Sequence, residues 1–339
     1  MTSQTLAQAS NVAVYGAMVV LTLAMVAFAA DLALGSGRAR AVDAARSGSA
    51  RRRPATTSVG TRTGDDQSTV AVAAPAEPAR TERDDERWGR VGISLTALAW
   101  LLLTAALVAR GLAAGRPPWG NMYEFVLTGT WWALSVFGFL LLRGRRVAHL
   151  GVVITGAALV ALGVAVVQFY VEAADLVPAL KSTWLWIHVS AATFAAGVFT
   201  VGTAATVMFL LADRYETRTS AGTAGGLRDW LGRRLPEAES LDQTAYRAYA
   251  FAFPLWFFVL VSGAIWAEDA WGRYWGWDPK ETWSFVTLVI FAAYLHARAT
   301  AGWRGRSAAL IALVGFVAFV FNFVGVNIFF SGFHSYGGL

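Results

Sequence analysis

The 339-residue sequence contains no cysteine and little charge. Without cysteine the chain cannot form a disulfide, a thiolate metal site or a thiol redox relay, so any thiol chemistry must come from a partner. Only 15% of the residues are charged, whereas 56% are apolar and the mean hydropathy is +0.48. These values exclude an ordinary soluble domain.

Eight hydrophobic runs are long enough to cross the roughly 30 Å hydrocarbon core of a bilayer as helices. They are Asn11–Leu34, Val91–Ala109, Glu124–Leu142, Val147–Val171, Trp184–Leu211, Ala248–Trp266, Thr282–Ala297 and Ser307–Phe330. We therefore expect an all-α polytopic membrane protein, a bundle of about eight transmembrane helices. No Lys or Arg precedes the first run, so we expect a retained helix rather than a cleaved signal peptide.

Basic residues are divided unequally between the two sides that eight crossings define. All but five of the 28 Lys and Arg residues fall on one side, in segments 35–90, 143–146, 212–247 and 298–306. Basic loops usually face the cytoplasm, so we expect these segments to be cytoplasmic and both termini to lie on the outer face. The same distribution explains the pI of about 9.9 without a nucleic-acid partner. The five remaining cations are Arg110, Arg116, Lys181, Arg273 and Lys280.

The composition also predicts how the chain is organised. Segment 35–87 is rich in Arg, Ala, Ser and Thr without apolar periodicity, which predicts a flexible cytoplasmic linker. It would separate an N-terminal transmembrane helix, 1–34, from a larger transmembrane domain, 88–339. A short stretch around Leu227–Leu235 is predicted to lie on the membrane surface.

One external loop, 266–283, is unusually aromatic. Five of the 15 tryptophans lie in it, and Trp271, Trp275 and Trp277 alternate with Gly272 and Gly276. An interfacial aromatic belt is one interpretation. We favour a second, a stacking platform for a planar ligand, because glycine lets the backbone approach such a ligand closely.

The segment after this loop has the pattern of a helix start. Asp278 is placed as N-cap, Pro279 as the first helical residue and Glu281 as the third, which predicts a capping box. Asp278 is therefore expected to orient the loop rather than to catalyse. Its replacement should lower ligand retention without changing any ligand pKa.

The sequence has four histidines, and the predicted topology separates them by depth. His188, at the start of the fifth run, and His334, after the eighth, fall near the height of the aromatic loop. Either one alone is more often an interfacial hydrogen bonder than a ligand, but neutral imidazoles on two faces of a haem would hold its iron. His296 lies toward the cytoplasmic end of the seventh run, where an ionisable group suggests a function. We assign no role to His149.

The loop WGRYWGWDPKETWS resembles the WWD signature of the haem-handling proteins of system II cytochrome c biogenesis, the CcsA/ResC family, also called CcsB. The resemblance extends from about Arg110 to the C-terminus and includes GRPPWGNMYEF, LWIHV, YLHAR and GVNIFFSGFHSYG. It does not reach residues 1–90, whose roles cannot be transferred.

The resemblance implies that His188 and His334 are external axial ligands of haem b, with Trp271, Trp275, Trp277 and Asp278 in the haem-binding loop. It implies that His296 receives haem from the cytoplasmic side, paired with a histidine of a ResB-like partner subunit. With that partner, the family attaches haem to the CXXCH motif of apocytochrome c, and a separate protein keeps the thiols reduced. The chain would then be a subunit of a holocytochrome c synthase that moves haem to the outer face of a bacterial plasma membrane.

Three points stay open at the level of sequence. Haem carboxylates require an external cation, and Arg110, Arg116, Arg273 and Lys280 are equal candidates. A membrane b-type cytochrome for electron transfer is the main alternative function, although it would usually place paired histidines inside the bundle. A transporter of another amphipathic solute is less favoured, because no inverted repeat is visible.

Overall fold

A computed structural model describes residues 2–34, 87–145, 147–173, 180–223, 234–300 and 303–334. The predicted linker therefore lies outside the described residues except for Arg87. The same is true of the predicted surface stretch except for Arg234 and Leu235, and of the glycines that come after His334.

The described residues form an α-helical bundle. Its helices are α1 Ser3–Leu34, α2 Arg87–Ala114, α3 Met122–Leu142, α4 Gly151–Gln168, α5 Thr183–Ser220, α6 Ala238–Trp271, α7 Pro279–Ala299, α8 Arg306–Val320 and α9 Val326–Phe329. A 3₁₀ turn, Ala148–Leu150, precedes α4, and a π-helical turn, Phe321–Gly325, joins α8 to α9. Each of the eight predicted spans thus corresponds to a helix, the last being built from α8, the π turn and α9. The all-α fold class is confirmed.

Seven of these spans are long and apolar enough to cross a membrane. The remaining helix, α7, has 21 residues but carries Lys280 and Glu281 in its first turn and Arg298 in its last. Charged groups at the two ends of a span can reach the membrane–water interface, so this helix is also compatible with a crossing. The chain is a multi-pass membrane protein.

Two helices extend well beyond the hydrophobic runs that predicted them. Helix α5 continues past Leu211 to Ser220, and α6 begins at Ala238, ten residues before its predicted run. Hydropathy marks the part of a helix that crosses the lipid, and polar residues continue the same hydrogen-bonded helix beyond it. Arg306 of α8 pairs with Asp213 in the extension of α5, so the extension is packed.

Close packing joins the N-terminal helix to the rest of the bundle. Helix α1 packs along α2 and α4, and Phe28 lies against Gly92 and Gly151, where any Cβ would come within 2.8 Å of its ring. Helix α5 occupies the centre and buries most of its spanning residues.

Aromatic rings fill the centre of the bundle. Successive ring centroids are 4.3 to 5.2 Å apart from Tyr294 through Tyr249, Phe291, Phe199, Phe319 and Phe323 to Phe125. The indole of Trp256 packs beside Phe319 at 5.3 Å. We call these eight residues the aromatic column. Such offset and edge-to-face contacts stabilise a core beyond simple burial.

The contact between α3 and α5 requires glycine at position 197. A Cβ there would lie 2.7 Å from the backbone nitrogen of Ala133 and from the carbonyl carbon of Trp132, neither of which can turn away. We expect Gly197→Ala to cost about 1–3 kcal/mol and to lower the unfolding temperature in detergent. Gly163→Ala in α4 is the matched control, because nothing lies within 4 Å of that Cβ. Equal unfolding temperatures would contradict this packing.

A candidate ligand cavity at one end of the bundle

A cavity of about 1010 Å³, including its open mouth, lies where the start of α5, the end of α6 and the start of α7 meet. We call this the cavity end of the bundle. Aromatic and aliphatic side chains make most of the lining, and the chemically distinctive members are Trp119, Asn121, His188, Trp266, Trp271, Tyr274, Trp275, Lys280 and His334.

His188 lines the cavity from the second turn of α5. Ser182 caps this helix by accepting a hydrogen bond from Trp184 N. The imidazole Nδ1 lies 2.9 Å from the carbonyl oxygen of Val259 in α6. Because a carbonyl oxygen can only accept, Nδ1 carries the hydrogen, and Nε2 of the neutral ring has the free lone pair.

A glycine in α6 makes room for this histidine. A Cβ at Gly263 would come within 2.7 Å of the His188 ring, so any larger residue would push the imidazole out of place. Helix α6 therefore provides both the acceptor that fixes the tautomer and the space for the ring.

His334 reaches the same cavity from the segment that comes after α9. Its Nδ1 donates to Asp278 Oδ2 at 2.8 Å, which again leaves the lone pair on Nε2. Burial lowers the pKa of His334, and the hydrogen bond to Asp278 opposes this without reversing it. The imidazole is therefore held neutral at physiological pH, the form that binds metals.

Asp278 connects three parts of the structure. It caps α7 in the predicted capping box, which is confirmed, and its other oxygen accepts from Phe333 N at 2.9 Å. Burial raises the pKa of this carboxyl, but the hydrogen bonds from His334, Phe333 and Lys280 N outweigh it and keep the pKa below its usual value. The expectation that replacing Asp278 would change no ligand pKa is contradicted, because the carboxylate bonds directly to His334.

Trp266 contacts both imidazoles and was not among the predicted site residues. Its ring lies 6.1 Å from that of His188, nearly parallel to it, and 5.7 Å from that of His334. It is 3% exposed. Its place at one end of the aromatic loop 266–283 is the signal in the sequence that could have identified it.

The three predicted loop tryptophans are not equivalent. Trp271 lines the cavity and lies edge-on to His334 at 4.8 Å, and Trp275 also lines it. Trp277 is 64% exposed, has a left-handed backbone with φ 58°, and is not part of the lining. Its ring packs against Trp275 and Phe285 on the outside of the loop.

Glu281 holds the loop in this shape. It accepts from Gly276 N at 2.8 Å and Asp278 N at 3.1 Å, and it forms an ion pair with Arg273. A Cβ at Gly276 would lie 1.8 Å from the Arg273 guanidinium, so glycine is needed where the cation crosses the loop. Helix α6 ends just before, at Gly272, in a left-handed C-cap.

The opposite wall of the cavity comes from the connection between α2 and α3. Buried Glu124 pairs with Arg110 and Arg116 and also accepts from Gly120 N at 2.8 Å. Asn121 caps α3 by accepting from Glu124 N. These contacts fix Trp119 to Met122, which line the cavity.

The other two histidines lie elsewhere. His296 is exposed near the end of α7, about 24 Å from Lys280 at 1.5 Å per residue. His149 is in the 3₁₀ turn before α4 and packs near α5, whereas α7 contacts α6 and α8. The structure therefore brings together His188, His334, Trp271, Trp275 and Asp278 and leaves Trp277 and His296 outside the cavity.

Comparison with known proteins now decides the family. The family model for cytochrome c assembly proteins matches residues 119–334, which contain every lining residue named above. The chain belongs to the cytochrome c assembly protein family. It is 36% identical over 296 residues to the cytochrome c biogenesis protein CcsA of Crocosphaera subtropica, a match that covers 73% of this chain and 88% of the relative.

Two further relatives agree with this assignment. The CcsA protein of Parasynechococcus marenigrum is 38% identical over 265 residues, covering 72% of this chain and 85% of the relative. That of Guillardia theta is 35% identical over 266 residues, covering 74% of this chain and 86% of the relative. The chain is thus a CcsA-type membrane protein of cytochrome c biogenesis.

We expect Asp278→Ala to free both the start of α7 and the segment that carries His334. The backbone amides of Lys280 and Phe333 would lose their acceptor and exchange faster with deuterium, and stability would fall by about 1 kcal/mol, the usual cost of a lost N-cap. Asp269→Ala is the control, because this exposed carboxylate accepts from Ser182 Oγ and does not hold His334. Unchanged exchange at Phe333 would show that Asp278 does not anchor this segment.

Proposed function

We propose that this protein binds haem b in the cavity and presents it, on the outer face of the membrane, for covalent attachment to apocytochrome c. The observation that carries the proposal is that His188 and His334, which are far apart in sequence, both line one aromatic cavity. In each ring Nδ1 is engaged with an oxygen acceptor and Nε2 keeps its lone pair.

The donor set suits haem iron. Two neutral imidazoles are typical axial ligands, and a carboxylate or carbonyl on the second ring nitrogen is the usual way in which a ligating histidine is oriented. The indoles of Trp266, Trp271 and Trp275 supply flat apolar surface for the porphyrin. Haem as the cargo would account for the aromatic lining of the cavity.

In this proposal the protein orients haem and the other components supply the reacting groups. Each cysteine thiol of the CXXCH motif adds across one haem vinyl group, so that sulfur bonds to the carbon next to the ring and hydrogen goes to the terminal carbon. The reaction needs no nucleophile from this chain, which has no cysteine. Binding and orientation are therefore its contributions to the rate.

His334 is the ligand best placed for exchange with the histidine of CXXCH. It lies after the last helix and is held through Asp278, whereas His188 is fixed within a long helix against α6. Release of one ligand would leave haem attached through the other while apocytochrome c approaches.

His296 would serve a separate step, the entry of haem from the cytoplasmic side. Its exposed side chain shares one face of α7 with exposed Phe285 and Val289, so it points away from the bundle. A second imidazole would have to come from another subunit, for which we propose a ResB-like partner. The reductant for the thiols would be supplied separately. This arrangement places the cavity end and both termini outside and the linker in the cytoplasm, as the basic residues predict.

We expect purified protein to show the absorption spectrum of a six-coordinate low-spin haem. His188→Ala and His334→Ala should each abolish that spectrum, because each removes one axial ligand. Added imidazole should restore it, since it can occupy the space left by the missing ring. His149→Ala is the control, because this histidine lies outside the cavity. A low-spin spectrum that survives both cavity variants without imidazole would refute the assignment.

We expect His296→Ala to impair loading in cells but not binding in vitro. The variant should be purified with several-fold less haem than the unsubstituted chain, because the proposed entry site has lost its ligand. Haem added to the purified variant should bind normally, since the cavity is about 24 Å away. Equal haem content in cells would contradict the entry role, and failure to bind added haem would point to a folding defect instead.

A further inference from the structure

The cations near the cavity differ in whether they pair with a carboxylate and in whether they line the cavity. Arg110 and Arg116 pair with Glu124, and Arg273 pairs with Glu281. None of these three arginines is part of the cavity lining. Each is used within the protein to hold a connection or the loop in place.

Lys280 is different in both respects. It lines the cavity, and its Nζ donates to Asn327 Oδ1 at 3.0 Å and lies 3.7 Å from Met122 Sδ. Both partners are neutral, and across the described ranges no carboxylate is in ion-pair contact with this ammonium. Nearby Asp278 accepts hydrogen bonds from His334, Phe333 N and Lys280 N rather than from Nζ.

The neutral partner of Lys280 is placed by the π-helical turn Phe321–Gly325. Such a turn inserts one residue into an α-helix and rotates the residues after it, and it is frequent at functional sites. Beyond the turn, Asn327 faces Lys280, while within it Asn322 donates to Ser284 Oγ at 2.9 Å. Both asparagines bond across to α7, so the distorted part of the last span is fitted to the helix that carries the lysine.

We propose that Lys280 binds a carboxylate of the cargo and thereby sets the orientation of haem in the cavity. This inference rests on the proposed function, because haem is the ligand that brings the carboxylates. An ammonium whose partners are all neutral has a charge left to pair with an incoming anion. The three arginines each pair with a carboxylate and do not line the cavity, so Lys280 is the one of the four candidates placed to contact the cargo.

The test compares haem with haem dimethyl ester, in which both carboxylates are uncharged and the iron and ring are unchanged. The unsubstituted chain should bind haem about 10-fold to 100-fold more tightly than the ester, the range expected for one charge-assisted contact. The ratio of the haem affinity to the ester affinity should fall by about tenfold or more in Lys280→Met. The variant should bind haem more weakly and the ester about as well as the unsubstituted chain does.

The sequence supplies a matched control, because it has one other lysine, Lys181, which is exposed and outside the lining. Lys181→Met should keep the ratio of the unsubstituted chain. The low-spin spectrum of both variants checks that the cavity is intact. An unchanged ratio in Lys280→Met, or no preference in the unsubstituted chain, would overturn the inference alone. Failure of the unsubstituted chain to bind either compound would instead refute the proposed function.

Discussion

The carboxylate of Asp278 is the contact on which the rest of the cavity depends. It joins the first turn of α7 to the backbone of the segment after α9 and to the imidazole of His334, which that segment carries. Because the helix needs a cap in any case, the same carboxylate that caps α7 also positions the imidazole of His334. The residue that the helix needs as its N-cap is therefore also needed to hold His334 in the cavity.

Glycines leave the space in which the functional side chains lie. A Cβ at Gly263 would meet His188 at 2.7 Å, one at Gly276 would meet Arg273 at 1.8 Å, and one at Gly332 would meet Asp278 at 2.3 Å. Gly263 and Gly332 lie in different elements from the side chains for which they leave room. Gly276 lies in the same loop as Arg273. The cavity is therefore shaped by missing side chains as much as by the tryptophans around it.

Much of the fold and part of the site could be predicted from the sequence. Hydrophobic runs located the helices, the spacing of Asp278, Pro279 and Glu281 predicted the cap, and alternating crossings placed His188 and His334 at one end. The polar extensions of α5 and α6 could not be predicted, because hydropathy identifies only the part of a helix that crosses the lipid. The choice of Lys280 over the arginines depends on partners such as Glu124, which are known only once the helices are packed. The inward position of Trp266 and the π-helical turn likewise arise from packing between distant segments.

The aromatic column has a consequence for the membrane itself. Its rings run from Tyr294 to Phe323 and Phe125, which border the cavity, and those at its centre are almost completely buried. At the centre of the column, the packed rings of Phe291, Phe199 and Phe319 offer ions and protons no hydrogen-bonding group. An open pocket at one end can therefore coexist with a bundle whose centre is closed by packed rings.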